Sequence, residues 1–204
     1  VFIYNEIEGT NFFTLTGVKL SQLHCADKET ETTIGRNDKT FAMKLIGGPT
    51  EEDDAVVVFL DVTERIELRK RNEDNKPVVI MVSIDNYDEL MSATTEDSKR
   101  AVPTEVDRIV RKWADEYNSP ILSSEEEEYV ILTNRGMAAK IREDNFSVLD
   151  EVRQIEAKID FPVSLSIGMG SSDVSLIETK DLAEAARELA LGRGGDQAVY
   201  KDDE

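Results

Sequence analysis

Ala190-Leu-Gly-Arg-Gly-Gly-Asp-Gln-Ala-Val-Tyr-Lys201 comes off an amphipathic stretch near the end of the chain. Gly192 is suited to end a helix, and Arg193-Gly-Gly-Asp196 to turn tightly into a last strand, Gln197–Lys201. This tail pairs with Ile84-Asp-Asn-Tyr-Asp88, which follows the apolar run Val78–Val82. The run does not alternate, so Lys76–Ile84 is expected to be a strand buried on both faces, with Pro77 tolerated at its start. Asp88–Ala93 reads as a short helix and Ser98–Tyr117 as a long one, with an inward stripe of Val102, Val106, Ile109, Val110 and Trp113. Ile121-Leu122 and Tyr129–Thr133 are strands around the run Glu125–Glu128. Asn145–Ile159 reads as a second long helix with Phe146, Leu149, Val152 and Ile155 inward. Val163–Gly170 is an alternating strand closed by glycines, and Leu176–Leu191 a third helix. The order from Pro77 is β-α-α-β-β-α-β-α-β, a mixed sheet with helices on its faces.

Up to Thr63 the chain reads as short strands joined by polar turns: Phe2–Tyr4, Asn11–Thr16, Glu29–Ile34, Phe41–Ile46 and Ala55–Leu60. Gly47-Gly-Pro49 and Glu51–Asp54 make the turn before the last of these. That strand ends in Asp61-Val-Thr-Glu64, an ending that resembles the last strand of PAS sensor domains; a plain antiparallel hairpin with a helix cap accounts for the same residues. Thr63 can cap a helix through Glu64–Glu73, supported by opposite charges at helical spacing. Such a helix serves equally as a lever or as a solvated linker.

The 204 residues suffice for one large domain or two small ones. Hydrophobic residues make up 40% and charged ones 33%, so a core is possible under a heavily charged surface. A net charge of −19 opposes nucleic acid and anionic membrane surfaces as partners, while a small phosphate ligand remains open to a local pocket. Cys25 and His24 stand alone, which leaves no internal disulfide and no Cys/His zinc site and suits a reducing cytoplasm. No apolar run is long enough to span a bilayer, and no signal peptide is visible. The opening on Val1 rather than Met reads as a piece of a longer protein.

From Pro77 onward the chain resembles the GGDEF nucleotide cyclases. In them an Asp-x-Asp after the first strand holds Mg²⁺ against triphosphate oxygens, an Asn-Asp pair reads guanine, and a Gly-Gly-Asp-Glu-Phe hairpin lets the backbone approach the nucleotide. Here the first aspartate is Ser83, in Ser83-Ile-Asp85. The Asn-Asp pair falls at Met91-Ser92, and the hairpin glycines at Glu125 and Glu126. The inhibitory Arg-x-x-Asp is absent, since no Arg lies between Trp113 and Asn134. The resemblance therefore implies a cyclase fold without cyclase chemistry.

Ser83–Leu90, Leu165–Gly168 and Leu191–Gln197 are similar to membrane-anchored cyclic-di-AMP phosphodiesterases of Gram-positive bacteria. The likeness is weak over 1–64 and good over 76–201. It implies an α+β organisation: a short PAS-like antiparallel β unit at 1–64, a linker helix at 65–75, and at 76–204 a degenerate GGDEF domain. The latter is a nucleotide-cyclase-like α/β sandwich with a ferredoxin-like core. It further implies a cytoplasmic portion of a membrane-anchored bacterial protein whose DHH/DHHA1 hydrolase lies downstream, since no Asp-His-His occurs in this sequence. Implied ligands are Mg²⁺ with ATP, slowly hydrolysed, and haem in the PAS part. A regulatory role follows; a ligand-free homodimerisation scaffold and a divergent diguanylate cyclase are the alternatives.

The candidate site residues each have a plainer reading. Asp85 could hold a metal and the Asn86 amide could touch phosphate, or both could cap a helix. Tyr87 reads as core or rim. Arg193 and Asp196 could frame an anion-binding turn, with Arg193 as countercharge, or form an ordinary turn. Glu127 and Glu128, at the acidic positions of the signature, could join Asp85 in collecting a cation, or form a solvated hairpin tip. His24-Cys25 could ligate haem iron or be ordinary side chains.

Overall fold

A computed structural model describes residues 9–19, 32–46, 56–93, 96–124, 127–155 and 162–203. Phe2–Tyr4, His24, Cys25, the 47–54 turn, Glu125 and Glu126 lie outside them. The chain divides into two compact units, 1–71 and 72–204.

The first unit contains α1 (Phe12–Thr16) and an antiparallel sheet of β1 (Thr32–Arg36), β2 (Lys39–Ile46) and β3 (Val56–Asp61), in that order. Residues 11–16, expected to be a strand, are instead the helix α1. Its ends explain why: the Asn11 side chain accepts the Phe13 amide at 2.8 Å, and Gly17, at φ 74°, donates its amide to the Phe13 carbonyl. Capping outweighs the strand preference of Phe and Thr. Asn37 and Asp38, both at positive φ, form the tight turn between β1 and β2. Lys39 donates to Asp61 at 2.7 Å, and this contact, with the Thr63 hydroxyl, holds the Asp61 carboxyl down at about 2.

Helix α2 runs Thr63–Asp74. Thr63 was expected to cap it, but its hydroxyl donates to Asp61 and accepts the Thr40 amide. The capping oxygen is that of Asp61, which accepts the Thr63 amide at 3.1 Å.

The second unit holds β4 (Pro77–Ile84), α3 (Tyr87–Ala93), α4 (Glu96–Glu116), β5 (Ile121–Ser124), β6 (Glu128–Asn134), α5 (Arg135–Glu143), α6 (Val148–Arg153), β7 (Leu165–Ser171), α7 (Leu176–Gly192) and β8 (Gln197–Asp202). The sheet order is β5-β6-β4-β7-β8. β4 is central and antiparallel to both neighbours, and β7 and β8 are parallel. Every β4 residue after Pro77 is buried. Val78, Ile80, Val82 and Ile84 pack into the cluster that includes Val106, Val110, Trp113, Ile141 and Val152 from α4, α5 and α6. Val79 and Met81 meet Ala183 of α7. Period-two geometry thus splits one apolar run between two helical layers, each such side chain contributing about 1.5–3 kcal/mol.

α5 was not foreseen, because Arg135-Gly-Met gives little helical pattern; it forms because Asn134, the last residue of β6, accepts the Met137 amide at 2.9 Å. The long helix expected over 145–159 is helical only at Val148–Arg153 among the described residues. Asn145 and Phe146 both take positive φ, which separates α5 from α6. The glycines of β7 also do more than close a strand. A Cβ on Gly168 would lie 2.1 Å from the Ala183 carbonyl oxygen, and one on Gly170 2.3 Å from the Ala183 nitrogen. Backbone meets backbone there, so α7 sits closer to the sheet than any side chain allows.

Candidate functional site

Ser83, Ile84 and Asp85 bring β4 to the rim where β6 and β7 begin, since Ser83 pairs with Glu128 and Ile84 with Leu165. Here Asp85 is 8% exposed, and its carboxylate meets three donors. The Ser166 hydroxyl donates to Oδ1 at 2.6 Å; the Ser164 hydroxyl and the Asp196 amide donate to Oδ2, each at 2.8 Å. The Asp85 amide in turn donates to the Ser164 carbonyl. A desolvated carboxylate is stable only with such company. The same contact explains the tail. Gly194, Gly195 and Asp196 have φ of 108°, 76° and 54°, and a Cβ on Gly195 would lie 2.5 Å from Asp85 Oδ2. Only glycine lets the turn close over the carboxylate.

The structure thus joins Asp85 to Asp196 through a backbone amide. The Asp196 side chain turns away to Arg153 of α6, whose Nε lies 2.8 Å from both carboxylate oxygens. Asn86, at φ 52°, accepts the Leu90 amide through its carbonyl at the start of α3. Arg193 is exposed; its backbone amide closes the last turn of α7.

Beside this staple lies a cleft of about 410 Å³, lined by Ser83, Asn86, Asp88, Glu89, Glu127 and Glu128 among others. Ser83 is 6% exposed and its hydroxyl has no hydrogen-bond partner among the described residues. The lining carries four carboxylates. Glu128 is paired with Arg187 of α7, whose side chain is 11% exposed. The Glu127 carbonyl accepts the Ile84 amide at 2.9 Å, fixing the hairpin to the end of β4, while its side chain is exposed. Tyr129 follows the glutamates and is buried, which pushes its phenol up to about 12. Asp85 faces β7 rather than the cleft, so it does not share a ligand set with Glu127 and Glu128. Among the described residues no group of three His, Cys, Asp or Glu side chains is placed to hold a metal.

Sequence reasoning missed Ser164, Ser166, Arg153 and Arg187. A signal for the first two was present: serines two apart on a strand point to the same face. The arginines carried none, because each meets its partner across the fold.

Residues 82–204 match the family described as "Cyclic-di-AMP phosphodiesterase GdpP-like, GGDEF domain". The chain is 31% identical over 169 residues to the cyclic-di-AMP phosphodiesterase GdpP of Bacillus subtilis, covering 83% of this chain and 25% of that protein. It is 32% identical over 149 residues to the cyclic-di-AMP phosphodiesterase PdeA of Listeria monocytogenes, covering 73% and 23%. It spans about a quarter of the length of these relatives. Among solved structures it resembles the active GGEEF domain of a diguanylate cyclase from Vibrio cholerae, at TM-score 0.53 and 13% identity over 67% of this chain and 89% of that one. It also resembles the GGDEF domain of DgcB from Caulobacter crescentus, solved with c-di-GMP, at TM-score 0.54 and 13% identity over 67% and 81%. At that identity the likeness is one of fold. No helix among the described residues is long and apolar enough to cross a membrane.

Proposed function

The chain belongs to the GGDEF domains of the GdpP-like cyclic-di-AMP phosphodiesterase family, and from that membership we propose that it is a regulatory domain that keeps the cyclase fold and lacks cyclase chemistry. The observation that carries this reading is the state of Asp85. Phosphoryl transfer on this fold needs two carboxylates gripping Mg²⁺ beside the triphosphate. One position is Ser83, and the other carboxylate is held by Ser164, Ser166 and the Asp196 amide. The surviving aspartate closes the tail onto the sheet. Incubation with GTP and Mg²⁺ is expected to give no cyclic-di-GMP; product above a protein-free blank overturns the reading. For the regulatory half, residues 72–204 would replace the matching segment of Bacillus subtilis GdpP. Hydrolysis of cyclic-di-AMP is expected to differ from that of the segment-deleted protein, and equal rates speak against regulation.

Ser83 favours a second reading, in which the cleft takes ATP with Mg²⁺ and hydrolyses it slowly. Its buried hydroxyl lacks a partner among the described residues and lies on a cleft of about 410 Å³. The acidic lining does not suit a bare triphosphate, so the cation would arrive with the nucleotide and meet Glu127, while Asn86 and Arg193 would offer the contacts to phosphate. Titration with Mg²⁺-ATP at millimolar ligand decides this, and an absence of heat removes it.

The remaining parts of the proposal follow from the family. The domain would lie on the cytoplasmic side of a membrane-anchored chain, ahead of a DHH/DHHA1 hydrolase, and could pair as a homodimer. Haem in the first unit would rest on His24 and Cys25, outside the described residues.

A further inference from the structure

Opposite the cleft, the strands of the second unit reach a second rim. Lys76 precedes β4, Arg135 follows β6, Asp173 lies just after β7 and Asp203 just after β8. Lys76 Nζ lies 2.8 Å from Glu73 Oε2 and 3.0 Å from Asp173 Oδ2. Arg135 spans the same two carboxylates, with Nη1 3.2 Å from Glu73 Oε2 and Nη2 2.5 Å from Asp173 Oδ1. Its Nε donates to the Ser171 hydroxyl at 3.0 Å. The Asp173 amide and the Ser172 hydroxyl both donate to Asp203 Oδ2, at 2.8 and 2.9 Å.

Glu73 lies in the last turn of α2, the helix that leads into the unit. Asp203 follows the last strand. The two do not touch, yet one residue serves both: Asp173 meets the cations that hold Glu73 through its side chain, and Asp203 through its backbone. Isolated surface ion pairs contribute little, but members of one network respond to each other's loss. Each cation here is shared between two carboxylates, so neutralising either carboxylate alters the hold on the other.

We propose that this rim is a coupling device. A shift of the last turn of α2 passes through Lys76 and Arg135 to Asp173, and from the Asp173 backbone to Asp203 at the end of β8, without traversing the cleft. The coupling is a property of residues 72–204 themselves and holds whether or not the regulatory or nucleotide readings do.

The test uses the whole 204-residue chain, with Glu73→Gln, Asp203→Asn and the double variant, all isosteric changes at the surface. Amide hydrogen exchange is followed at 72–76 and 172–174. Asp203→Asn is expected to speed exchange at 72–76 by about threefold or more, and the double variant to fall short of the product of the two singles. Unchanged exchange at 72–76 in Asp203→Asn, or single effects that simply multiply, overturns the proposal. Arg153→Ala, at the cleft rim, should leave 72–76 untouched; an equal effect there would mean general loosening and would also overturn it.

Discussion

At one end of β4 a single buried carboxylate, Asp85, is held by two hydroxyls and an amide. At the other end two exposed carboxylates, Glu73 and Asp173, share two cations. The first arrangement is desolvated, so its loss strands three donors where water cannot replace the bond. The second is wet, so each contact is weak and any of its members can be exchanged for solvent. The lesson is that position in a sheet does not set the chemistry of its rim. The rim at Asp85 is the stiff one, and the opposite rim is the adjustable one.

The change expected to break the comparison outright is Gly168→Ala, which touches neither rim directly. Its methyl group would meet the Ala183 carbonyl and the Arg187 amide, so α7 must lift from β7. A loss of about 3 kcal/mol or more is expected, measured by denaturant unfolding with fluorescence of Trp113, the sole tryptophan and a buried one. Asp85→Ala comes next. It leaves Ser164, Ser166 and the Asp196 amide unmatched and should cost about 2–4 kcal/mol by the same measurement; a cost below that of an exposed ion pair would erase the distinction between the rims. Arg153→Ala removes the clamp on Asp196, but the pair is more than a third exposed, so about 0.5–1 kcal/mol is expected. The smallest effect belongs to the far rim and to pH. The Lys76 ammonium holds the Asp173 carboxyl below its ordinary range, and the Asp173 amide does the same for Asp203. Carboxyls lowered on folding support the fold at neutral pH, and that support is lost as pH falls from about 4 through the lowered values. Protection at 72–76, the slowing of exchange relative to an unstructured peptide at the same pH, should therefore fall at acid pH and also with added salt, while that of the amides at Asp85 and Asp196 responds less.

Much of the fold was legible because its signals are local. The unbroken run Val78–Val82 marked a strand buried on both faces, and the stripe from Val102 to Trp113 marked a helix against it. Gly192 and the turn after it marked the end of α7. What failed was also physical. α1 and α5 depend on Asn11 and Asn134 placing one oxygen near one amide, which periodicity does not register. The glycines of β7 were read as punctuation because a helix's approach cannot be seen from the strand alone. Asp85 was visible as a polar residue at a strand end, but its partners lie 79, 81 and 111 positions away. The far rim left no trace in the sequence, since Arg135 and Glu73 stand 62 positions apart and Lys76 and Asp173 stand 97.

The strand order carries one more consequence. β4 has no hydrogen-bonding partner among its neighbours in sequence; β6 starts at Glu128 and β7 at Leu165. On the ribosome, at about 5–20 residues per second, its apolar run waits seconds for the first partner strand and longer for the second. During that interval it is an unpaired sticky edge, and the window for aggregation closes only when the chain beyond Leu165 has been made.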